Sequence, residues 1–438
     1  MTDLETRMSP PCAPLLRRAA PALFGYAAVR ALSLVALAVW SAARGKSPYT
    51  LLTARWDSLW YTRVAELGYG YEVRLPNGDI HSNLAFFPLL PWLERLLHAV
   101  TPLSYADAGL VVALLASLAA ACGIFAVAEW VYGPRVGICA VLLWAVLPVG
   151  IVQSMAYSES LFTALAAWSL YAVLTGRWVS AGVLAALAGL TRPVGLAVVA
   201  AVWVAGVISF VRNRSARGMH GAHNGEHAPA PAHDAHAGHI ANGNGSHETT
   251  CAPSSPEGAR DTTRAPSLTA DAPARRRALG MLLAPLGAAG YVLWVGHRTG
   301  KGLLGYLDVQ AGWRNGFDGG YAFAAFVADK FTSFPSALAG AGLVIGVALL
   351  IWLYVTGVRQ RQPVALLVYT GVVLALALCA SSYFGSKPRL LMPAFPVLFP
   401  LARALARLRT SRAALVTAGV AVATAVYGAF WLNGSGPP

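Results

Sequence analysis

The stretch "ALFGYAAVRALSLVALAVWSA", residues 22–42, decides the fold. A helix needs about 20 mostly apolar residues to cross roughly 30 Å of hydrocarbon, and this run supplies them with Arg30 as its one charge. Arg17 and Arg18 precede it as they would a secretory leader, but the apolar run exceeds the roughly 7–15 residues of a leader's core. It reads as a retained first helix. Comparable runs recur at 107–131, 136–152, 157–175, 178–191, 193–211, 278–297, 336–357, 363–382, 390–408 and 412–432. The expectation is an all-α, polytopic membrane protein with eleven crossings. The segment 178–191 is the least secure of them, since so short a helix reaches only about 21 Å at about 1.5 Å per residue.

Composition agrees. Of 438 residues, 56% are hydrophobic and 12% charged, where a soluble domain carries about 25% charged residues. The formal charge of +14 does not call for nucleic acid, because Lys/Arg excess in membrane proteins gathers in cytoplasmic connections. Arg7, Arg17, Arg18, Arg135, Arg177, Arg359, Arg361, Arg403, Arg407, Arg409 and Arg412 fall on one side of the proposed crossings. That side is read as cytoplasmic, with the N-terminus on it. The opposite face receives residues 43–106, 298–335 and 382–391, which places the chemistry outside the cytoplasm of a cell-membrane protein.

Three regions follow. Residues 1–211 form an N-terminal membrane region with the first outer loop, 43–106. Residues 212–277 are an insert with seven of the ten histidines among Gly, Ala, Pro, Asn and Ser, a composition too polar to offset ordering entropy, so disorder is expected. Residues 278–438 form a C-terminal membrane region with the outer loop 298–335. The histidine spacings are irregular and the five cysteines are scattered without a CxxC pair, so neither a zinc site nor a disulfide framework is indicated.

The first outer loop holds "ARWDSLWYTRVAELGYG", residues 54–70. As a helix it would align Trp56, Leu59, Trp60, Val64 and Leu67 in one apolar stripe and lie along the membrane surface. Asp57 then stands at the helix start, where two readings hold equally: an N-cap, or a catalytic acid at the lipid boundary. "SNLAFFPLLPWLERLLHAV", 82–100, is broken by Pro88 and Pro91 and reads as an interfacial or re-entrant helix. In "QSMAYSESLF", 153–162, Ser158 is placed to cap a helix with Glu159 in its favourable first turn; alternatively Glu159 lines the cavity of Asp57. Arg192 in "TRPVG" and Lys387 with Arg389 in "SKPRLLMPAFP" are cations at membrane depth, where charge is costly and usually faces a partner or cavity. Either they snorkel, or they hold a lipid-attached phosphate, which a guanidinium binds bidentately. "GYLDVQAGWRNGFDGG", 305–320, offers Gln310 and Trp313 to a sugar, or is a solvated loop.

Taken together, "RWDSLWYTRVAELGY", "FFPLLPWLERLL", "AYSESLF", "TRPVGL" and "KPRLLMPAFPVL", in this order, resemble bacterial relatives of the PIG-V mannosyltransferase family. The resemblance covers residues 20–410 apart from the insert. It implies a GT-C glycosyltransferase: a multi-span enzyme taking a sugar, mannose by the family's habit, from a polyprenyl-phosphate donor on the non-cytoplasmic side and passing it to a lipid-linked or envelope-glycan acceptor. It implies also that the first-loop acid, here Asp57, is the general base of an inverting transfer. Arg389, Lys387 and Arg192 are then expected to bind the donor phosphate, and Arg55, Trp56, Glu159, Gln310 and Trp313 to line the pocket. Membrane lipids are the other partners. No DxD triplet or nucleotide loop is present, and no paired acids commit the chain to a divalent ion. The competing readings are a transporter or flippase, suggested by the interrupted helix at "TRPVG", and a non-catalytic scaffold.

Overall fold

The computed structural model describes residues 14–223, 268–381 and 383–434. The first apolar run forms α1 (Leu15–Ala43), followed in the 43–106 segment by α2 (Pro48–Thr53), α3 (Asp57–Leu67), a hairpin of β1 (Glu72–Arg74) and β2 (Ile80–Ser82), and α4 (Leu89–Val100). Then come α5 (Tyr105–Tyr132), α6 (Pro134–Ala145), α7 (Ser158–Leu174), α8 (Trp178–Gly189) and α9 (Leu196–His223). The C-terminal part holds α10 (Leu268–Leu283), α11 (Leu286–Thr299), α12 (Gly305–Gly312), β3 (Gly316–Phe317) and α13 (Tyr321–Asp329). It ends with α14 (Ser336–Arg359), α15 (Val364–Cys379), β4 (Ala380–Ser381), α16 (Lys387–Leu391), α17 (Phe399–Arg407) and α18 (Thr410–Leu432).

The architecture is helical, as a chain that must satisfy its own backbone in hydrocarbon requires. The count of eleven crossings is not reproduced. Among the described residues six helices are long and apolar enough to span, and a seventh arises if Phe384–Leu391 and Phe395–Arg407, bent by 75°, count as one. The segments around α6, α7, α8 and α15 are apolar but shorter. The predicted span 136–152 stops at Ala145; Pro148 cannot donate to a helix, and the chain continues as a 3-10 turn, Gly150–Ser154. The two small β-ladders were not expected. The second pairs Gly316 with Ser381 and Phe317 with Ala380, so the segment after α11 is stitched to the end of α15.

Contacts divide the chain into a main body, residues up to Gly206 with those from Arg276 onward, and a second unit, Val207–Arg275. Residues 224–267 of the predicted insert lie outside the described residues; on either side of them, α9 and α10 are helical.

In the main body the core lies among α1, α5, α6, α7 and the α16–α17 segment, where Tyr26, Phe125, Trp144, Tyr157, Phe162, Phe395 and Phe399 are buried. Tyr26 stacks on Trp144 at 5.6 Å, and the Trp144 indole donates to the Met392 carbonyl at 3.2 Å. Arg30, buried in α1, donates to the carbonyls of Gly150 and Ala145. It thus serves the negative, unpaired carbonyl end of α6, which accounts for a cation in mid-span. Between α8 and α10–α11 small residues let the backbones approach: a Cβ at Gly287 would collide with the Ala186 carbonyl, and one at Gly182 with Gly280.

Candidate active site

Asp57 is the first residue of α3, and Trp56 before it sits at φ 51°. A positive φ at a bulky residue is uncommon and tends to mark functional sites. Here it turns the chain so that the Asp57 amide meets the Tyr157 hydroxyl at 3.3 Å. Trp56 itself carries no capping bond, and its ring packs under the Arg55 guanidinium at 4.0 Å. Ser58 completes the turn: its hydroxyl donates to the Arg55 carbonyl at 2.6 Å and accepts from the Arg55 amide at 3.1 Å. The buried face of α3 carries Ser58, Tyr61, Val64 and Ala65, while Leu59 and Leu67 are exposed. The predicted stripe is therefore rotated, because Tyr61 is drawn inward by a 2.7 Å hydrogen bond to Ser158. Burial raises the Tyr61 pKa and keeps its hydroxyl neutral.

The carboxylate of Asp57 does not cap its helix. Its Oδ2 lies 2.8 Å from Nη1 of Arg389. Nε of the same guanidinium is 3.2 Å from Oε1 of Glu159, and that Oε1 also pairs with Arg192. Arg389 lies over the Tyr157 ring at 5.0 Å. Two acids and two arginines thus form one neutral quartet, built from four elements far apart in sequence: the start of α3, the start of α7, the α8–α9 break and α16. Glu159 is 1% exposed and Arg389 8%, whereas Asp57 keeps 25% of its side chain accessible. The quartet opens on the side of Asp57.

Electrostatics in this quartet is Coulombic before it is directional. The distances are those of ion pairs, yet Arg389 Nε and Nη1, Arg192 Nη1 and both Glu159 oxygens lack aligned hydrogen-bond partners. Buried donors without partners are costly. Each is nevertheless held in an ion pair, Arg389 Nη1 with Asp57 and both Arg389 Nε and Arg192 Nη1 with Glu159. Asp57 Oδ1 has no ion-pair or hydrogen-bond partner among the described residues.

Glu159 was readable as a first-turn acid beside a capping Ser158. The structure corrects the capping part, since Ser158 opens α7 with no side-chain cap and binds Tyr61 instead. Lys387 does not join the quartet. Its ammonium donates to the carbonyls of Ala377 and Ala380, each at 2.8 Å, and lies over the rings of Phe323 and Phe384. It closes the end of α15, a cation at a carbonyl terminus, and is 3% exposed. Gln310 is engaged by Tyr306 at 2.6 Å and Asn315 at 3.0 Å. Trp313 is tied to the Ser82 carbonyl at 3.0 Å and stacks on His81 at 4.0 Å. It also meets Trp60, one helical turn beyond Asp57, edge-on at 5.0 Å. Trp60 in turn stacks on Phe86 at 5.6 Å. An aromatic wall therefore runs from Trp60 on α3 to His81 of the β1–β2 hairpin. Reading the residues one motif at a time missed Tyr157 and Tyr61 and took Ser158 only for a cap; the apolar context "MAYSES" around Tyr157, Ser158 and Glu159 was the available signal.

The "FFP" motif has a structural part. The Leu89 amide donates to the Leu190 carbonyl at 3.0 Å, fixing the 43–106 segment against the α8–α9 break, and the Tyr291 hydroxyl of α11 shares its proton between the Leu84 and Phe86 carbonyls at 2.9 and 2.8 Å. Beyond Arg389, an open groove is lined by apolar side chains alone, among them Leu350, Pro388, Leu391, Met392 and Phe395.

Residues 41–213 match the family model described as mannosyltransferase (PIG-V). This stretch contains Asp57, Tyr157, Glu159 and Arg192. No curated protein matches the chain. Similar solved structures are those of ArnT from Cupriavidus metallidurans. The form bound to undecaprenyl phosphate is 15% identical, with 88% of this chain and 61% of that chain covered and a TM-score of 0.46. The apo form is 16% identical, with 88% and 60% covered and a TM-score of 0.47. The chain thus spans about three fifths of the length of these structures.

Proposed function

We propose that this protein, whose residues 41–213 match the mannosyltransferase (PIG-V) family model, is an integral membrane glycosyltransferase. It transfers a sugar, mannose by the family's description, from a polyprenyl-phosphate donor to a lipid-linked or envelope-glycan acceptor outside the cytoplasm. The observation that carries the reading is the contact of Asp57 with Arg389, a partly accessible carboxylate against a buried guanidinium that Glu159 also holds.

The chemistry follows from where charge moves. The acceptor hydroxyl enters beside Asp57 Oδ1, gives its proton to the carboxylate, and attacks the anomeric carbon. The bond from that carbon to the phosphate oxygen breaks, and its electron pair stays on the phosphate. One negative charge has then left Asp57 and one has appeared on the leaving group. Arg389 can follow it, its attraction passing from a neutralised carboxyl to the phosphate, with Arg192 beside it. Donors fixed beforehand in a low-dielectric site need no reorganisation when the charge develops. A single displacement of this kind inverts the anomeric centre. Glu159 holds both guanidinium groups in place, and the apolar groove beside Pro388 takes the isoprenoid chain. The aromatic wall of Trp60 and Trp313 carries the acceptor, with Arg55 and Trp56 shaping the turn. Lys387 fixes the α15 end that carries β4.

The test is the product. Purified protein is offered polyprenyl-phosphate mannose, polyprenyl-phosphate glucose and a nucleotide-activated mannose, and products are identified by mass and anomeric configuration. Transfer from a polyprenyl phosphate with inversion is expected. Transfer from the nucleotide sugar alone, or retained configuration, contradicts the reading.

A further inference from the structure

Away from Asp57, α14 and α17 flank a partly open cavity. Trp352, Thr356 and Gln360 line it from α14, and Leu401, Arg403 and Arg407 from α17. Arg403 and Arg407 are four residues apart and so share a helix face. Neither has a carboxylate partner among the described residues. Arg403 is held over the Tyr132 ring at 4.8 Å, which fixes the cation without neutralising it. Independently, Gln360 presents a buried Oε1 with no hydrogen-bond partner. α17 turns Phe399, Ala402 and Leu405 into the core, leaving Arg403 half-buried and Arg407 exposed. Arg359 ends α14, and Arg409 and Arg412 lie at the start of α18.

Two unneutralised guanidiniums, apolar walls and an acceptor lacking a donor describe a ligand with an anionic group, an acyl chain and a hydroxyl. We infer that this cavity is a binding site for an anionic glycerophospholipid of the phosphatidylglycerol type. The phosphate lies between Arg403 and Arg407, one chain runs along Trp352 and Leu401, and a headgroup hydroxyl donates to Gln360 Oε1. Basic pockets between membrane helices select anionic headgroups in this way. A choline headgroup would bring its own cation against two guanidiniums and has no hydroxyl to offer Gln360. No residue of the Asp57 quartet takes part, so the inference stands apart from the transferase reading.

The experiment is lipid retention by the purified full-length protein, read by native mass spectrometry and thermal melting. The probes are dioleoyl phosphatidylglycerol, dioleoyl phosphatidylcholine and inorganic phosphate. At about five-fold per arginine, the two together give roughly a thirty-fold preference for phosphatidylglycerol. R403Q/R407Q abolishes the preference, and Leu401→Trp, which keeps both charges and fills the cavity, lowers retention. Equal retention of the two lipids, or a phosphate-only shift as large as that of phosphatidylglycerol, overturns the inference. So does unchanged selectivity in R403Q/R407Q. Should the double variant fail to fold, Leu401→Trp decides: full retention overturns the inference and loss supports it.

Discussion

Glu159→Gln separates the structural and chemical parts of the quartet. The wild-type carboxylate balances two guanidiniums through one oxygen while 1% exposed. In the variant Arg389 keeps Asp57, but Arg192 loses its carboxylate and remains a buried, uncompensated cation. Removing one partner of a buried pair costs about 3–5 kcal/mol. The glutamine carbonyl still offers Arg192 a dipole, so about 3 kcal/mol is the expected loss. Taking the cation away as well, in Glu159→Gln/Arg192→Gln, restores neutrality, and the coupling in the double-mutant cycle is expected to be at least about 2 kcal/mol. The assay is reversible unfolding of wild type, both single variants and the double variant in one detergent. Sugar transfer is measured alongside. Stability recovers in the double variant and transfer does not, because Arg389 has lost an anchor in both. Single effects that add to within about 0.5 kcal/mol would refute the pairing and the positioning of Arg389 built on it.

Further outcomes are expected elsewhere. Glu94, 0% exposed on the non-spanning helix α4 with both oxygens unpartnered, has its carboxyl pushed well above the usual range by burial. The folded state keeps a proton that the unfolded chain releases above about pH 4.3. Stability contributed by this group is therefore fully present at acid pH and falls as pH rises, by at most about 1.4 kcal/mol per unit. Glu94→Gln removes that slope, and unfolding curves of the two proteins that stay parallel from pH 5 to 9 would count against it. Tyr61→Phe deletes the 2.7 Å bond to Ser158 and leaves that hydroxyl buried, a loss of about 1–3 kcal/mol read in the same unfolding assay. Trp313→Ala opens the aromatic wall and raises the acceptor KM about tenfold, about 1.4 kcal/mol of contact, with kcat little changed; a fall in kcat at constant KM would move Trp313 out of the acceptor path.

The membrane class was legible because it depends on apolar run length alone, and each run predicted to cross contains helix, although 136–152 and 390–408 are helical only in part. Their lengths were less so: Pro148 and the α8–α9 break cut helices short in ways that hydropathy averages away. The rotation of α3 was hidden for a different reason. Its apolar periodicity favours Leu59 and Leu67, but the hydrogen bond of Tyr61 to Ser158 spans 97 residues and is invisible to any local pattern. The candidate site shows the same division. Asp57, Glu159, Arg192 and Arg389 each stood out as a charge in an apolar setting, while the pairing that unites them is tertiary. Lys387 stood out on the same ground and sits elsewhere, since a carbonyl terminus satisfies a cation as well as a carboxylate does.

The most direct measurement is single-turnover transfer from polyprenyl-phosphate mannose by purified wild type, Asp57→Asn and Asp57→Ala, with melting temperature as the folding control. A general base contributes about 10²–10⁴-fold, and both variants are expected to lose that much while remaining folded and donor-bound. Transfer at the wild-type rate by folded Asp57→Ala would contradict the account.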